Sequence, residues 1–90
     1  SLIVEGCIVN GEVEDSILSQ GVIVGENTII RNSVIMPNVT IGDNVIIEKA
    51  IIGSGTVIED GAIISDTKKG LILIGENQQI SSESALLQAL

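Results

Sequence analysis

The feature that most constrains the fold is a repeat in which every seventeenth residue is aliphatic, in three interleaved series. Between Val13 and Ile64, the aliphatic positions follow one another at steps of five, six and six. Because a repeat of this length forms one coil of a solenoid, three aliphatic positions per period indicate three sides. The sequence therefore predicts an all-β, three-sided parallel β-helix of hexapeptide repeats with one shortened side. The aligned series are Cys7, Val24, Ile41 and Ile58; Val13, Ile30, Ile47 and Ile64; and Leu18, Ile35 and Ile52.

Two further patterns accompany each aliphatic position. The residue two places earlier is small or β-branched, and alternation along a strand sends both side chains inward. Three places after the first and third series stand Gly or Asn, which tolerate the left-handed backbone of a tight turn. The second series lacks such a residue, so its corner is predicted to turn differently. The inward positions are Gly11, Ser16, Val22, Thr28, Ser33, Val39, Val45, Ala50, Thr56 and Ala62; the turn positions are Asn10, Asn27, Asn44, Gly61, Gly21, Asn38 and Gly55.

The two ends of the chain depart from the repeat. The segment 1–3 resembles 16–18, but the distance between the two segments is two residues less than the period. This spacing predicts an irregular first coil. The interpretation assigns 1–69 to β-helix coils and 70–90 to a capping segment. That segment would hold a buried strand over 71–74, a turn over 75–77, and a short helix that Ser81 or Ser82 could cap and that runs to Leu90.

Composition excludes several classes of function. Twelve acidic residues against four basic ones give a net charge of −8, which argues against nucleic acid and anionic membrane surfaces as partners. No apolar run approaches the roughly 18–20 residues that span a bilayer. The 44% hydrophobic content without aromatic residues suits a narrow prism. The single cysteine, Cys7, is interpreted as a small buried hydrophobe in a protein of the reducing cytoplasm, and intersubunit pairing or a reactive thiol are the alternatives.

Chemistry-bearing residues are scarce. The chain has no histidine, so it lacks the general base of hexapeptide acyltransferases and the zinc ligands of related carbonic anhydrases. Glu26, Asp43 and Asp60 lie one coil apart; a solvated face is the first interpretation, and a loose calcium site is the alternative. The sequence thus predicts no catalytic, cofactor-binding or metal-binding residue in this chain.

Several strings resemble one family. They cover roughly residues 1–80 and are similar to the C-terminal domain of bacterial glucose-1-phosphate adenylyltransferase (ADP-glucose pyrophosphorylase). The matching strings are 1–7 (SLIVEGC), 32–37 (NSVIMP), 41–44 (IGDN), 48–53 (EKAIIG) and 70–77 (GLILIGEN).

The resemblance implies a left-handed parallel β-helix that follows an N-terminal nucleotidyltransferase domain, which this chain does not contain. The whole enzyme would transfer the adenylyl group of ATP to glucose 1-phosphate with Mg²⁺, releasing pyrophosphate in glycogen biosynthesis. The family's catalytic and metal-binding residues belong to the N-terminal domain, so none carries over. The β-helix would pack on that domain, support a homo- or heterotetramer in the cytoplasm, and help form effector sites.

The sequence leaves open both the regulation and the identity of the parent protein. The segment 75–80 lacks a basic residue, which puts activation by sugar phosphates in doubt, and Lys68 and Lys69 are interpreted as a solvated pair. The chain could belong to a non-catalytic regulatory paralogue or to an enzyme for another sugar phosphate. It could also be a free-standing structural solenoid.

Overall fold

A computed structural model describes residues 2–3, 5–65 and 71–82, and these form fourteen short strands without a helix. All pairs of neighbouring strands are parallel. The strands are β1 (Leu2–Ile3), β2 (Ile8–Val9), β3 (Glu12–Glu14), β4 (Ile17–Leu18), β5 (Ile23–Val24), β6 (Ile29–Arg31), β7 (Val34–Ile35), β8 (Thr40–Ile41), β9 (Ile46–Glu48), β10 (Ala50–Ile52), β11 (Val57–Ile58), β12 (Ile63–Ile64), β13 (Ile72–Ile74) and β14 (Gln79–Ile80).

The strands form three sheets, each made from every third strand. Face 1 has the order β1-β4-β7-β10-β13, face 2 the order β2-β5-β8-β11-β14, and face 3 the order β3-β6-β9-β12. Each coil therefore contributes one strand to each face, and parallel neighbours are successive coils. This arrangement confirms the predicted three-sided parallel β-helix.

The interior holds two kinds of side chain per side, as the sequence predicts. From Leu18 to Ile64, every aliphatic position of the repeat is at most 1% exposed. The smaller inward residues from Ser16 to Ala62 are also buried. A narrow prism has room for one long and one short side chain at each side, and the β-branched residues among them favour extended backbone.

The first coil differs from the prediction. Strands β2 and β5 pair with Val9 opposite Val24, so Val9, and not Cys7, continues the first aliphatic series. Cys7 instead lies two places earlier, at the register of the smaller residue Val22, and is half-buried. The predicted irregular spacing at the start of the chain is confirmed by the pairing of Leu2 with Ile17.

The shift arises at one corner. Val9 and Val13 are four places apart, whereas Val24 and Ile30 in the next coil are six places apart. Face 3 keeps the regular register of the repeat, with Val13 opposite Ile30. The corner between β2 and β3 is therefore two residues shorter than its counterparts, and Asn10 is not at a left-handed turn position.

The other corners use residues with positive φ. The predicted positions after the first and third series are confirmed, apart from Asn10. The corner after the second series was predicted to turn differently, and this is confirmed, because its left-handed residue comes two places after the aliphatic position instead of three. These residues are Asp15 (φ 46°), Asn32 (φ 50°) and Lys49 (φ 51°).

The repeat resumes near the C-terminus after an interruption. Ile52 pairs with Ile74 and Ile58 with Ile80, so this coil is five residues longer than the regular one. The strand predicted over 71–74 is present as β13, but Leu73 in it is 69% exposed, so only alternate residues face the core. Strand β14 is an element that the sequence analysis did not predict. Lys68, Lys69 and the body of the predicted final helix, 83–90, lie outside the described residues.

Lys49 offers a test of backbone strain. It is exposed and holds a φ of 51°, in the region that costs an ordinary L-residue roughly 1–2 kcal/mol and that Asn visits more readily. Asn32 occupies the equivalent corner one coil earlier. Lys49→Asn is expected to raise the free energy of unfolding by about 0.5–1 kcal/mol. Urea unfolding would measure it, with Lys49→Gln as the control that removes the charge and keeps the strain. Equal stability of the two variants would contradict the strain argument.

Candidate functional site

A column of carboxylates runs along the corner between faces 2 and 3. The Oδ1 atom of Asp43 accepts a hydrogen bond from the backbone N–H of Glu26 at 2.9 Å, and Oδ1 of Asp60 accepts one from the N–H of Asp43 at 2.8 Å. The predicted stack is therefore present, and its members are exposed. These oxygens link successive coils, which explains the acidic residues at this corner without a bound ion. Within the described residues, no group of three metal-ligating side chains occurs.

Buried hydroxyl groups form a second set of links. Ser33 Oγ donates to the carbonyl of Arg31 at 2.7 Å and accepts from the N–H of Ala50 at 3.1 Å. Thr28 Oγ1 donates to the carbonyl of Gly42 and accepts from the N–H of Val45. Each hydroxyl thus bridges backbone groups, and no buried side-chain polar atom in the described part lacks a partner. Groups engaged in this way are structural and are not arranged as nucleophiles beside a base.

Cys7 is likewise tied to the backbone. Its Sγ donates to the carbonyl of Ser19 at 3.0 Å, and the side chain packs against the hydrophobic core. The prediction of a small hydrophobe at an inward corner is corrected in two respects, since Cys7 is half-buried and occupies the position of the smaller inward residues. The chain contains one cysteine, so no internal disulfide can form.

The segment 75–80 also has structural contacts. Asn77 forms the left-handed turn, and the N–H of Gln78 donates to Thr56 Oγ1 at 3.2 Å. Gln79 Nε2 donates to Glu59 Oε2 at 2.7 Å. These bonds attach the last described coil to the one before it. The described residues of this segment bring no basic side chain to a phosphate-sized site.

The outer surface of face 1 is the strongest candidate for a functional surface. The side chains that point outward from its strands β4, β7, β10 and β13 lie in one register and are all aliphatic. Ile17 and Leu73 are exposed at the two ends of the row. We call Ile17, Val34, Ile51 and Leu73 the face 1 stripe.

The outward rows of the other two faces include polar residues. On face 2 the outward row contains Thr40 and Gln79. On face 3, one outward row begins with Glu12 and continues with Ile29, Ile46 and Ile63. In the row beside it, Arg31 lies between Glu14 and Glu48 and forms an exposed ion pair with Glu14 at 3.1 Å. The face 1 stripe, with four residues, is therefore the longest outward aliphatic row in the described part of the chain, and contiguous apolar surface makes it a candidate for contact with another protein surface. The repeat predicted the inward residues; it did not predict that face 1 differs from the others, although the outward letters at 17, 34, 51 and 73 carry that signal.

Two open depressions lie along the corner between faces 2 and 3. One, of about 390 Å³, is lined by residues 10–12 and 27–29 at the shortened corner. The other, of about 440 Å³, is lined by Thr40, Gly42 and residues 57–60. Asp60 of the solvated acidic column is part of the lining of the second depression.

Comparison with known proteins agrees with this architecture. The family model for the GlmU-like C-terminal hexapeptide matches residues 1–70. The chain belongs to this hexapeptide family. No solved structure gave a significant match. Among the described residues, no helix is long and apolar enough to cross a membrane.

Curated proteins give a more specific match over part of the chain. Over 32 residues, 36% of this chain, it is 62% identical to a glucose-1-phosphate adenylyltransferase of Clostridium beijerinckii. Over the same length it is 69% identical to that of Clostridium botulinum strain Eklund 17B and 59% identical to that of Clostridium perfringens strain SM101. The matching part spans 8% of the length of each of these relatives. The family resemblance seen in the sequence strings is thereby confirmed over part of this hexapeptide domain.

The carboxylate column yields a test of its structural role. Asp43→Ala removes the acceptor of the Glu26 N–H and is expected to lower the free energy of unfolding by about 1 kcal/mol, as loss of a similar cap does. Asp43→Asn is the matched control, because its amide oxygen can still accept the bond. Thermal unfolding of both variants, with and without Ca²⁺, would measure the effect. A large calcium-dependent stabilisation of the parent that both variants lose would contradict the structural role.

Proposed function

We propose that this chain is the non-catalytic β-helix part of a glucose-1-phosphate adenylyltransferase, where it packs against the rest of the polypeptide and supports subunit assembly. The observation that carries the proposal is the 59–69% identity to enzymes of that name over 32 residues. Such identity in a solenoid includes turn and outward residues, which coil formation alone leaves variable. The hexapeptide fold and the face 1 stripe supply a physical role for this part of the enzyme.

The stripe supports the packing role because covering its exposed aliphatic surface removes apolar area from water. Ile17, Val34, Ile51 and Leu73 stand in register on one sheet, so a single apolar partner surface could cover them together. Burial of one such side chain contributes roughly 1.5–3 kcal/mol. The partner we propose is the remainder of the same polypeptide, since the matching relatives are far longer than the matched segment. Contacts within a homo- or heterotetramer would extend the same role.

The chemistry of adenylyl transfer is assigned to that remainder. The described residues contain no cluster of three metal-ligating side chains, and the stacked Asp43 and Asp60 use carboxylate oxygens to hold the backbone. These residues do not fit the Mg²⁺ and ATP expected of the parent enzyme. A cytoplasmic location is part of the same proposal.

The activity test uses the full polypeptide that contains this chain. Pyrophosphate release from ATP and glucose 1-phosphate with Mg²⁺ is expected for the full polypeptide and not for residues 1–90 alone. Other nucleotides and sugar phosphates serve as controls. Release by the 90-residue chain would overturn the non-catalytic assignment. A long polypeptide without activity would instead indicate the regulatory paralogue, and activity with another sugar phosphate would reassign the substrate. A polypeptide of about the length of this chain would indicate the free-standing solenoid.

A second test addresses the stripe. In the full polypeptide, Leu73→Lys is expected to weaken the packing of the β-helix by about 1.5–3 kcal/mol, because a charge replaces an apolar contact. Val57→Lys on face 2 is the matched control, since Val57 also points outward from a strand and is exposed. Limited proteolysis and light scattering would report release of the β-helix and loss of oligomer. Equal effects of the two substitutions would refute the assignment of face 1 as the packing surface.

A further inference from the structure

The shortened corner contains the chain's single Asn-Gly sequence, Asn10-Gly11. A Cβ atom at residue 11 would overlap the carbonyl oxygen of Thr28, and it would also approach the carbonyl of Gly25 at 3.0 Å. No side chain fits there without moving backbone. The close approach of the coils at this corner therefore requires Gly11, and the fold thereby places a glycine directly after an exposed asparagine.

Asparagine followed by glycine has a characteristic reactivity. The backbone nitrogen of the following residue can attack the side-chain amide carbon, and glycine offers no Cβ to hinder the approach. In this structure Asn10 is exposed, and the N–H of Gly11 makes no hydrogen bond to any described residue. The depression of about 390 Å³ beside both residues is open to water. In the folded state the Gly11 nitrogen is therefore without a described hydrogen bond, and the Asn10 side chain that it would attack is open to water.

The other asparagines of the chain are arranged differently. All five have positive φ, at the left-handed corners, and each is followed by a residue with a side chain. In three cases the following N–H is held by a hydroxyl oxygen: Ser33 by Ser16, Val45 by Thr28, and Gln78 by Thr56. A nitrogen that is engaged in this way is less available for attack. The five residues are Asn27, Asn32, Asn38, Asn44 and Asn77.

We propose that Asn10 is a site of spontaneous deamidation in the folded protein. The Gly11 nitrogen loses its proton to hydroxide and forms a bond to Cγ of Asn10, and the side-chain nitrogen leaves as ammonia. Water then opens the resulting succinimide at either carbonyl, which gives aspartate or isoaspartate. The sequence of steps needs only water and base, and no change of oxidation state occurs.

Either product alters the corner. Both place a new carboxylate close to Glu12, in a chain whose net charge is already −8. Isoaspartate also adds one backbone carbon between Val9 and Val13, where the chain is two residues shorter than in the next coil. The bond from the N–H of Asn10 to the carbonyl of Val24, at 3.0 Å, anchors this corner to the second coil. Conversion of Asn10 is therefore expected to loosen the first coil while the later coils keep their register.

The test is incubation of the folded full polypeptide at mildly alkaline pH, followed by peptide mapping. The peptide with Asn10 is expected to gain one mass unit at least about tenfold faster than any peptide with one of the other five asparagines, a barrier difference of about 1.4 kcal/mol. The rate should rise with pH, and incubation in ¹⁸O-water should label both aspartate and isoaspartate at residue 10. The five other asparagines are the internal controls.

Two variants complete the experiment. Asn10→Gln keeps the amide but requires a larger ring for attack, so it should suppress the mass gain while the protein remains folded. Asn10→Asp reproduces one product and reports its effect on hydrogen exchange of the first coil. Deamidation at Asn10 no faster than at the other sites would overturn the proposal. So would a mass gain that appears only after unfolding in denaturant.

Discussion

The constraint on which the whole structure depends is the stacking of each coil in parallel register on the previous one. A side chain such as Ile35 can stay buried only if Leu18 and Ile52 lie directly beside it on neighbouring coils. The backbone hydrogen bonds impose the same condition, since N–H groups along the chain reach carbonyls of the adjacent coil. Every corner must then turn within the same space, which is why residues with positive φ recur along the chain.

The stacking of the coils also engages most of the polar side chains that could otherwise take part in chemistry. Ser33 and Thr28 bridge backbone groups inside the corners, and Asp43 and Asp60 accept backbone N–H groups outside them. The regular spacing of Asp43 and Asp60 along the column resembles that of ligands in a binding site, but their hydrogen bonds join one coil to the next. Buried polar groups cost free energy when they lack partners, so a thin prism with many corners needs such bridges. These hydroxyl and carboxylate side chains therefore serve to hold the coils together.

Function is left to the outer surfaces, because packed side chains fill the interior of the coils that the structure describes. The strands expose alternate residues, and the three faces differ in what those residues are. Face 1 presents aliphatic side chains at Ile17 and Leu73, whereas the charged row on face 3 includes Glu14 and Arg31. A domain of the GlmU-like hexapeptide family with a row of four outward aliphatic residues on face 1 suits packing against another protein surface. This property accords with the proposed place in a longer adenylyltransferase.

Regular spacing determined much of the fold. The aliphatic repeat identified the three sides, the small inward residues and most of the turns, because each coil from Leu18 to Ile64 has corners of constant length. It also identified the column of Glu26, Asp43 and Asp60 as solvent-facing. The absence of histidine from the sequence was enough to exclude the histidine-based chemistry of related enzymes.

Only the tertiary structure decided the rest. Cys7 fits the aliphatic series by position, yet the pairing of Val9 with Val24 shows that one corner has lost two residues, and hydrogen bonding to the second coil fixes that register. Lys49 has no local preference for a left-handed backbone, but its N–H and carbonyl are held by the coils on either side. Strand β14 follows a longer coil, so its position does not fit the regular period of the sequence. In each case the sequence determined which residues could stack, and the contacts between coils determined which of them did, because register is a property of two neighbouring coils and not of one.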